Sequence, residues 1–221
     1  MTYTPLRTDD APQSIRDFVR EHVDMQLHDV HTMLLLPRPE EAGMAGGCNF
    51  AAVAVLSSLI SGASTVFFRQ EGEAGPRFRD LLTKYYPWEE QPPGGVDQGT
   101  AVTAIYKEYR NPLAHALAVS TRTVGRGASQ RILVDTRRRP LGVIKPRRTE
   151  EQIVLLEQPE GRPPSWLSAV VTPNNGGGMD IYPDSLYWGT RRLLERLFRK
   201  RDLMQGTVNW FAPLGSGVGE E

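Results

Sequence analysis

The segment Ser14–Leu35, SIRDFVREHVDMQLHDVHTMLL, decides the fold class. Its apolar residues recur at spacings of three and four, namely at Ile15, Phe18, Val19, Val23, Leu27, Val30, Leu34 and Leu35. This is the period of an amphipathic α-helix with one buried face. Pro37 follows and ends the pattern. The segment therefore predicts a long helix that packs against other helices.

Similar patterns after the break at Pro37 predict further helices. The stretch from Glu41 to Phe68 is rich in small residues, which lets neighbouring helices approach closely, and its serines make it too polar for a membrane span. The other predicted helices run from Pro76 to Tyr85, from an N-cap at Asp97 into Tyr109, and from a cap at Asp184 after Pro183 to about Leu203.

Short β-like runs appear between the fourth helix and the last. They are Arg131–Val134, Leu141–Ile144, Ala169–Thr172 and Met179–Tyr182, and the last two flank a turn of asparagines and glycines at 173–178. Residues 149–158 fit a short helix or a strand. The predicted fold class is mainly α, a helical bundle with a small β-containing insertion before the last helix.

Length and composition fit one domain. The chain has 221 residues, 39% hydrophobic and 24% charged, which is ordinary globular material. We expect a flexible leader at 1–12, a single helical-bundle domain at 13–205 with its β-containing insertion at about 122–183, and a flexible tail at 206–221. The N-terminus lacks the apolar run of a signal peptide, so a cytoplasmic protein without a membrane segment is expected.

The formal net charge is zero, yet the basic residues are concentrated in two segments. The first supplies candidate RNA-binding residues: Arg122, Arg126, Arg137, Arg138 and Arg139. The second consists of Arg191, Arg192, Arg196, Arg199, Lys200 and Arg201. Such segments suit a polyanion site and equally suit solvated arginine-rich faces, because clustering in sequence need not be clustering in space.

The motif with chemical content is Arg110-Asn111-Pro112-Leu113-Ala114-His115, at the end of the fourth helix. It resembles the Arg-polar-x-x-x-His signature of HEPN proteins, the higher eukaryote and prokaryote nucleotide-binding superfamily. The resemblance covers about residues 13–120 and the last helix, and implies a HEPN-like helical bundle. Pro112 disfavours helical geometry at Asn111, so a kink or a helix end is expected there.

The residue types suit RNA cleavage. Arginine offers a planar fork of donors for a phosphodiester, and histidine exchanges a proton near neutral pH. The resemblance implies a metal-independent endoribonuclease, a toxin or phage-defence effector, with Arg110 binding phosphate, His115 as acid/base group and Asn111 assisting. It also implies a homodimer with facing motifs, RNA as substrate, a partner protein of a defence or toxin system, and no cofactor or metal.

Two other functions stay open. In the first, the chain is a non-catalytic HEPN-like binding or scaffold protein, in which Arg110 and His115 only pack. In the second, less favoured, Cys48 at a helix start is the nucleophile of a hydrolase with His115 as base and Asn111 or an acid as orienter. The histidines of the first helix, His22, His28 and His31, are interpreted as a helix face and not as a metal site.

Overall fold

The computed structural model describes residues 3–36, 48–68, 72–111, 121–124, 131–134, 141–143, 148–158, 162–175 and 177–207, and it is mainly helical. The α-helices are α1 (Gln13–Phe18), α2 (Asp24–Leu35), α3 (Asn49–Phe67), α4 (Ala74–Tyr85), α5 (Gln98–Thr103), α6 (Glu150–Glu157), α7 (Pro183–Phe198) and α8 (Arg201–Thr207). The strands are β1 (Thr121–Val124), β2 (Arg131–Val134), β3 (Leu141–Val143), β4 (Val171–Pro173) and β5 (Met179–Ile181).

The long first helix is confirmed, with one irregularity. A π-helical segment, Val19–Val23, joins α1 to α2 without a break. The expected apolar stripe faces inward, and Ile15, Leu27 and Val30 are almost completely buried. The apolar stripe thus stays buried on both sides of the π-helical segment.

Helix α3 begins at Asn49, later than predicted, and residues 37–47 lie outside the described part of the chain. Ala52, Val53, Leu56 and Ile60 are buried, and α3 contacts α2, α4 and α7. Among the described helices, α3 alone is long and apolar enough to cross a membrane, at a mean hydropathy of 1.8. In this structure its inner face belongs to the core of the bundle.

The predicted cap of the fourth helix is confirmed. The Asp97 side chain accepts a hydrogen bond from the Thr100 backbone N–H at 3.0 Å, and α5 begins at Gln98. A second π-helical segment, Ala104–Arg110, continues α5 up to the motif. The Tyr109 hydroxyl donates to the Met179 carbonyl at 2.8 Å, which ties this helix to β5.

The strands form two small sheets. Strand β1 pairs with β2 in antiparallel register, with Thr121 opposite Val134. In the other sheet β5 is central, parallel to β3 and antiparallel to β4. The turn between β4 and β5 was predicted, but β1 was not, because residues 122–130 look like a polar loop. Arg122 instead lies within a strand, opposite Leu133.

The insertion also contains a helix, and two helices follow it. Thr149 and Gln152 form a capping box at the start of α6, so residues 150–157 are helical. Helix α7 begins at Pro183 with Tyr182 as its N-cap residue, so the predicted cap at Asp184 is wrong. The expected single last helix divides near Arg199, where α7 ends and a turn leads to α8.

The N-terminal segment is packed, contrary to the expected flexible leader. Leu6 and Ala11 are buried, and polar contacts hold Tyr3 and Thr4 on the bundle. The Tyr3 hydroxyl donates to Asp24 Oδ1 at 2.6 Å, and Arg191 Nη2 donates to the Thr4 carbonyl at 2.6 Å. At the other end α8 runs to Thr207, two residues into the predicted tail, and residues 208–221 lie outside the described part.

The second basic cluster is not a single exposed face. Helix α7 is central, and Arg191 and Arg192 are buried within the bundle. Arg191 contacts the N-terminal segment, and Arg192 lies 3.5 Å from Glu195. Clustering in sequence therefore did not produce a shared surface here, because the arginines of α7 point to different sides of that helix and Arg201 already belongs to α8.

Candidate functional site

The two described residues of the motif, Arg110 and Asn111, lie at the end of the second π-helical segment. Asn111 has helical backbone angles, φ −66° and ψ −49°. Asn111 thus keeps helical geometry, contrary to expectation, and the expected kink or helix end falls on residues from Pro112 onward, outside the described part of the chain. Proline disfavours helical geometry in the preceding residue without forbidding it, and the helix departs from α geometry before the motif. π-Helical turns of this kind are frequent at functional sites.

The Arg110 guanidinium is held by three groups. Its Nε donates to Ser61 Oγ at 3.3 Å, and its Nη1 donates to Asn111 Oδ1 at 2.9 Å. Its central carbon lies 5.9 Å from the centroid of the Tyr106 ring, within the range of a cation–π interaction. Nη2 makes no hydrogen bond to the described residues, so this edge of the fork can donate to a ligand.

Arg110 has no acidic partner among the described residues. Within the described ranges, no carboxylate lies at ion-pair distance from its guanidinium, although the side chain is only partly exposed. Ser61 and Asn111 offer neutral oxygens, which orient the guanidinium without cancelling its charge. A partly desolvated, uncompensated arginine is an anion-binding group, because a phosphate would supply the missing negative charge.

Sequence reasoning missed Ser61. It interrupts the apolar run of α3, yet it lies forty-nine positions before Arg110 and so shares no local motif with it. A serine in an apolar helix is a weak signal on its own, since such residues often bond their own backbone. Only the packing of α3 against the π-helical segment brings Ser61 to Arg110.

The other predicted site residues fall largely outside the described part of the chain. This is so for His115, Arg126, Arg137, Arg138 and Arg139. Arg122 has a described backbone in β1 and no described side chain. The structure thus brings Arg110 and Asn111 together and leaves the remaining assignments as predictions.

The Cys48 hydrolase needs Asn111 or an acid as orienter, and the structure excludes Asn111. Cys48 is the N-cap residue of α3 and is partly exposed. Asn111 is bonded to Arg110, which contacts Ser61, thirteen residues along α3 from Cys48. At 1.5 Å per residue this is a separation of about 20 Å. Asn111 is therefore too far away to orient a base for the Cys48 thiol.

Two of the first-helix histidines, His28 and His31, differ in burial although their ring centroids are 6.1 Å apart. His31 is completely buried, and its Nδ1 donates to Glu157 Oε1 at 2.6 Å. His28 is exposed, with its ring 5.3 Å from that of Tyr3. Within the described ranges, no group of three or more potential metal-ligating side chains could hold a metal ion.

Comparisons of the chain with protein-family models, with curated proteins and with solved structures find no match. The HEPN resemblance therefore depends on the motif residues themselves and on the mainly helical architecture around them.

Proposed function

We propose that the chain is a HEPN-like, metal-independent endoribonuclease with its active site at Arg110, Asn111 and His115. The observation that carries the proposal is the Arg110 guanidinium, which is oriented by Ser61 and Asn111. Among the described residues it faces no carboxylate, and its Nη2 makes no hydrogen bond to them. A group of this kind suits the phosphate of an RNA strand, whose charge grows during cleavage. The mainly helical fold is consistent with the proposal.

In the proposed reaction the ribose 2′-oxygen attacks the adjacent phosphorus. The bond from the 2′-oxygen to phosphorus forms, and the bond from phosphorus to the 5′-oxygen breaks. His115 accepts the 2′-hydroxyl proton and a proton is returned to the leaving 5′-oxygen, as general acid–base chemistry requires. Arg110 donates to the non-bridging oxygens, and Asn111 fixes Arg110. The enzyme would act in the cytoplasm as a homodimer with facing motifs, as a toxin or phage-defence effector.

RNA cleavage in EDTA tests this proposal. Wild-type protein should cleave a mixture of structured and single-stranded RNAs. Arg110→Gln and His115→Ala should each lower the single-turnover rate by about a hundredfold or more. Arg16→Gln is the matched control, because Arg16 is exposed on α1 and its side chain, among the described residues, bonds to Gln13 alone. The rate of this variant should equal that of wild type. Circular dichroism and thermal unfolding establish that each variant is folded.

One observation favours the alternative of a non-catalytic HEPN-like binding or scaffold protein. Two of the three Arg110 nitrogens already bond to neighbouring side chains, as in an arginine that only packs. The same experiment separates the two functions. A folded wild type that binds RNA and never cleaves it would support the alternative, and so would cleavage that persists unchanged in both site variants.

A further inference from the structure

Tyr106 lies between two arginines. Its ring centroid is 5.9 Å from the guanidinium carbon of Arg110 and 5.8 Å from that of Arg79. Arg79 belongs to α4, whereas Tyr106 and Arg110 belong to the π-helical segment after α5. Two cations from different helices thus lie around one aromatic ring.

The position of the Tyr106 ring is fixed by the first two turns of α4. The ring packs against Phe78, with 5.4 Å between the two ring centroids. Its hydroxyl lies so close to Gly75 that a Cβ atom there would clash with it. A glycine at 75 therefore permits this approach, and the ring becomes a rigid platform for both guanidinium groups.

The positive charge of this pair is uncompensated within the described ranges. Arg79, like Arg110, has no carboxylate at ion-pair distance there, and its Nε is buried without a hydrogen-bond partner. The ring attracts both cations by its quadrupole, whereas the two like charges repel each other. An anion that reaches both guanidinium groups would remove this repulsion.

We propose that Arg79 is a substrate-binding residue that contacts a second phosphate of the RNA strand whose scissile phosphate lies at Arg110. This inference rests on the proposed function, since it takes RNA as the ligand at Arg110. A polyanion with regularly spaced phosphates can satisfy both arginines at once, because Arg110 can donate to one phosphate from Nη2 while the Arg79 guanidinium donates to the next. Arg79 thereby fixes the strand and leaves the chemistry to Arg110 and His115.

The test separates binding from cleavage. Binding of a fluorescent 2′-O-methyl oligoribonucleotide, which lacks the attacking hydroxyl, is measured by anisotropy across a range of salt concentrations. Arg79→Gln should weaken binding about tenfold and lower the magnitude of the salt slope by about 0.7, the value for one contact with a single strand. Arg79→Lys keeps the charge without the fork, so it should weaken binding less and leave the slope near that of wild type.

Lys84→Gln is the matched control. Lys84 is exposed in the last turn of α4 and lies against Phe68 instead of Tyr106, so the same loss of charge there should leave the slope unchanged. The inference is overturned if wild type does not bind the oligonucleotide, or if folded Arg79→Gln binds it as tightly as wild type.

The results distinguish failure of the inference about Arg79 from failure of the proposed function. Cleavage of unmodified RNA with unaltered binding by Arg79→Gln would remove the role of Arg79 and leave the nuclease intact. Arginine-dependent binding without any cleavage would remove the nuclease and leave a two-phosphate site. With an active enzyme, Arg79→Gln should raise KM for unmodified RNA and leave kcat within about twofold, because it removes binding that is equal in ground and transition states.

Discussion

Tyr86 lies against α7 at a position of that helix that has no side chain, Gly189. A Cβ atom at 189 would clash with the hydroxyl and ring of Tyr86, which is completely buried. The Tyr86 hydroxyl donates to the Ser185 carbonyl at 3.1 Å. The ring cannot move aside without losing that bond or disturbing the core around it.

Gly189→Ala should therefore destabilise the protein by about 2 kcal/mol, measured by urea unfolding. Gly62→Ala on α3 is the matched control, because no atom lies within 4 Å of a Cβ atom at 62. Alanine suits a helix interior better than glycine, so this control should gain about 0.5–1 kcal/mol. Equal effects of the two changes would contradict the close approach of Tyr86 to α7.

Glu157 is a buried carboxylate surrounded by hydrogen-bond donors. Burial alone would raise its pKa, but the donors, His31, Tyr187 and the Thr4 N–H, outweigh burial and hold the pKa below its ordinary value of 4.5. The distances from Glu157 oxygens to His31 Nδ1 and to the Tyr187 hydroxyl are both 2.6 Å. The charged form of Glu157 is therefore favoured by folding, and it stabilises the protein fully above pH 4.5.

Glu157→Gln should cost about 3 kcal/mol at pH 7, because it breaks a buried charged network. The difference from wild type should shrink as the pH falls below 4.5, where the wild-type carboxylate takes up its proton.

Glu195→Gln should show the opposite trend. Burial raises the pKa of Glu195. The free energy of unfolding of the wild-type protein should therefore rise relative to that of this variant as the pH falls. Parallel pH profiles for the two variants, from urea unfolding, would contradict this account.

At the scale of elements, the N-terminal segment Tyr3–Leu6 acts as a strap across α2, α6 and α7. The Tyr3 hydroxyl accepts from Arg191 Nη1 at 3.0 Å while it donates to Asp24. The Thr4 N–H donates to Glu157 Oε2 at 2.8 Å. Without the strap, Asp24, Glu157 and Arg191 would each lose a hydrogen-bond partner. Polar groups left unsatisfied in the interior would then destabilise the packing of the three helices.

Tyr3→Phe should lower the free energy of unfolding by about 2 kcal/mol, because the hydroxyl joins an arginine to a carboxylate. Tyr182→Phe is the matched control. The Tyr182 ring is partly exposed, and its hydroxyl makes no hydrogen bond to the described residues, so its loss should cost less than 0.5 kcal/mol. A Tyr3→Phe variant as stable as the control would show that the strap contributes little.

The helices were predictable where the apolar period was long, as in the segment from Ser14, or where a capping residue preceded it, as at Asp97. The two π-helical segments were not, because a single wide turn barely changes the spacing of apolar side chains. Strand β1 was missed because Thr121–Val124 has too few apolar residues to show alternation. The strap was missed because polar contacts across more than a hundred residues leave no local pattern.

At the scale of the whole molecule, the candidate site is assembled from three helical segments. Arg110 and Asn111 could be found from sequence because they are adjacent within a motif. Ser61 and Arg79 could not, because α3 and α4 bring them to Tyr106 and Arg110 only in the folded bundle. The burial of Arg191 could not be predicted from the sequence either, because it depends on the other helices that pack around α7.

The chemistry of the cleaved ends tests the central claim most directly. Purified wild-type protein is incubated with end-labelled RNA in EDTA, and the new termini of the products are identified. Attack by the 2′-hydroxyl under the control of Arg110 and His115 predicts a 2′,3′-cyclic phosphate and a 5′-hydroxyl, and neither product with folded His115→Ala. Products with a 5′-phosphate and a 3′-hydroxyl, or the same cyclic ends from His115→Ala at the wild-type rate, would contradict the account.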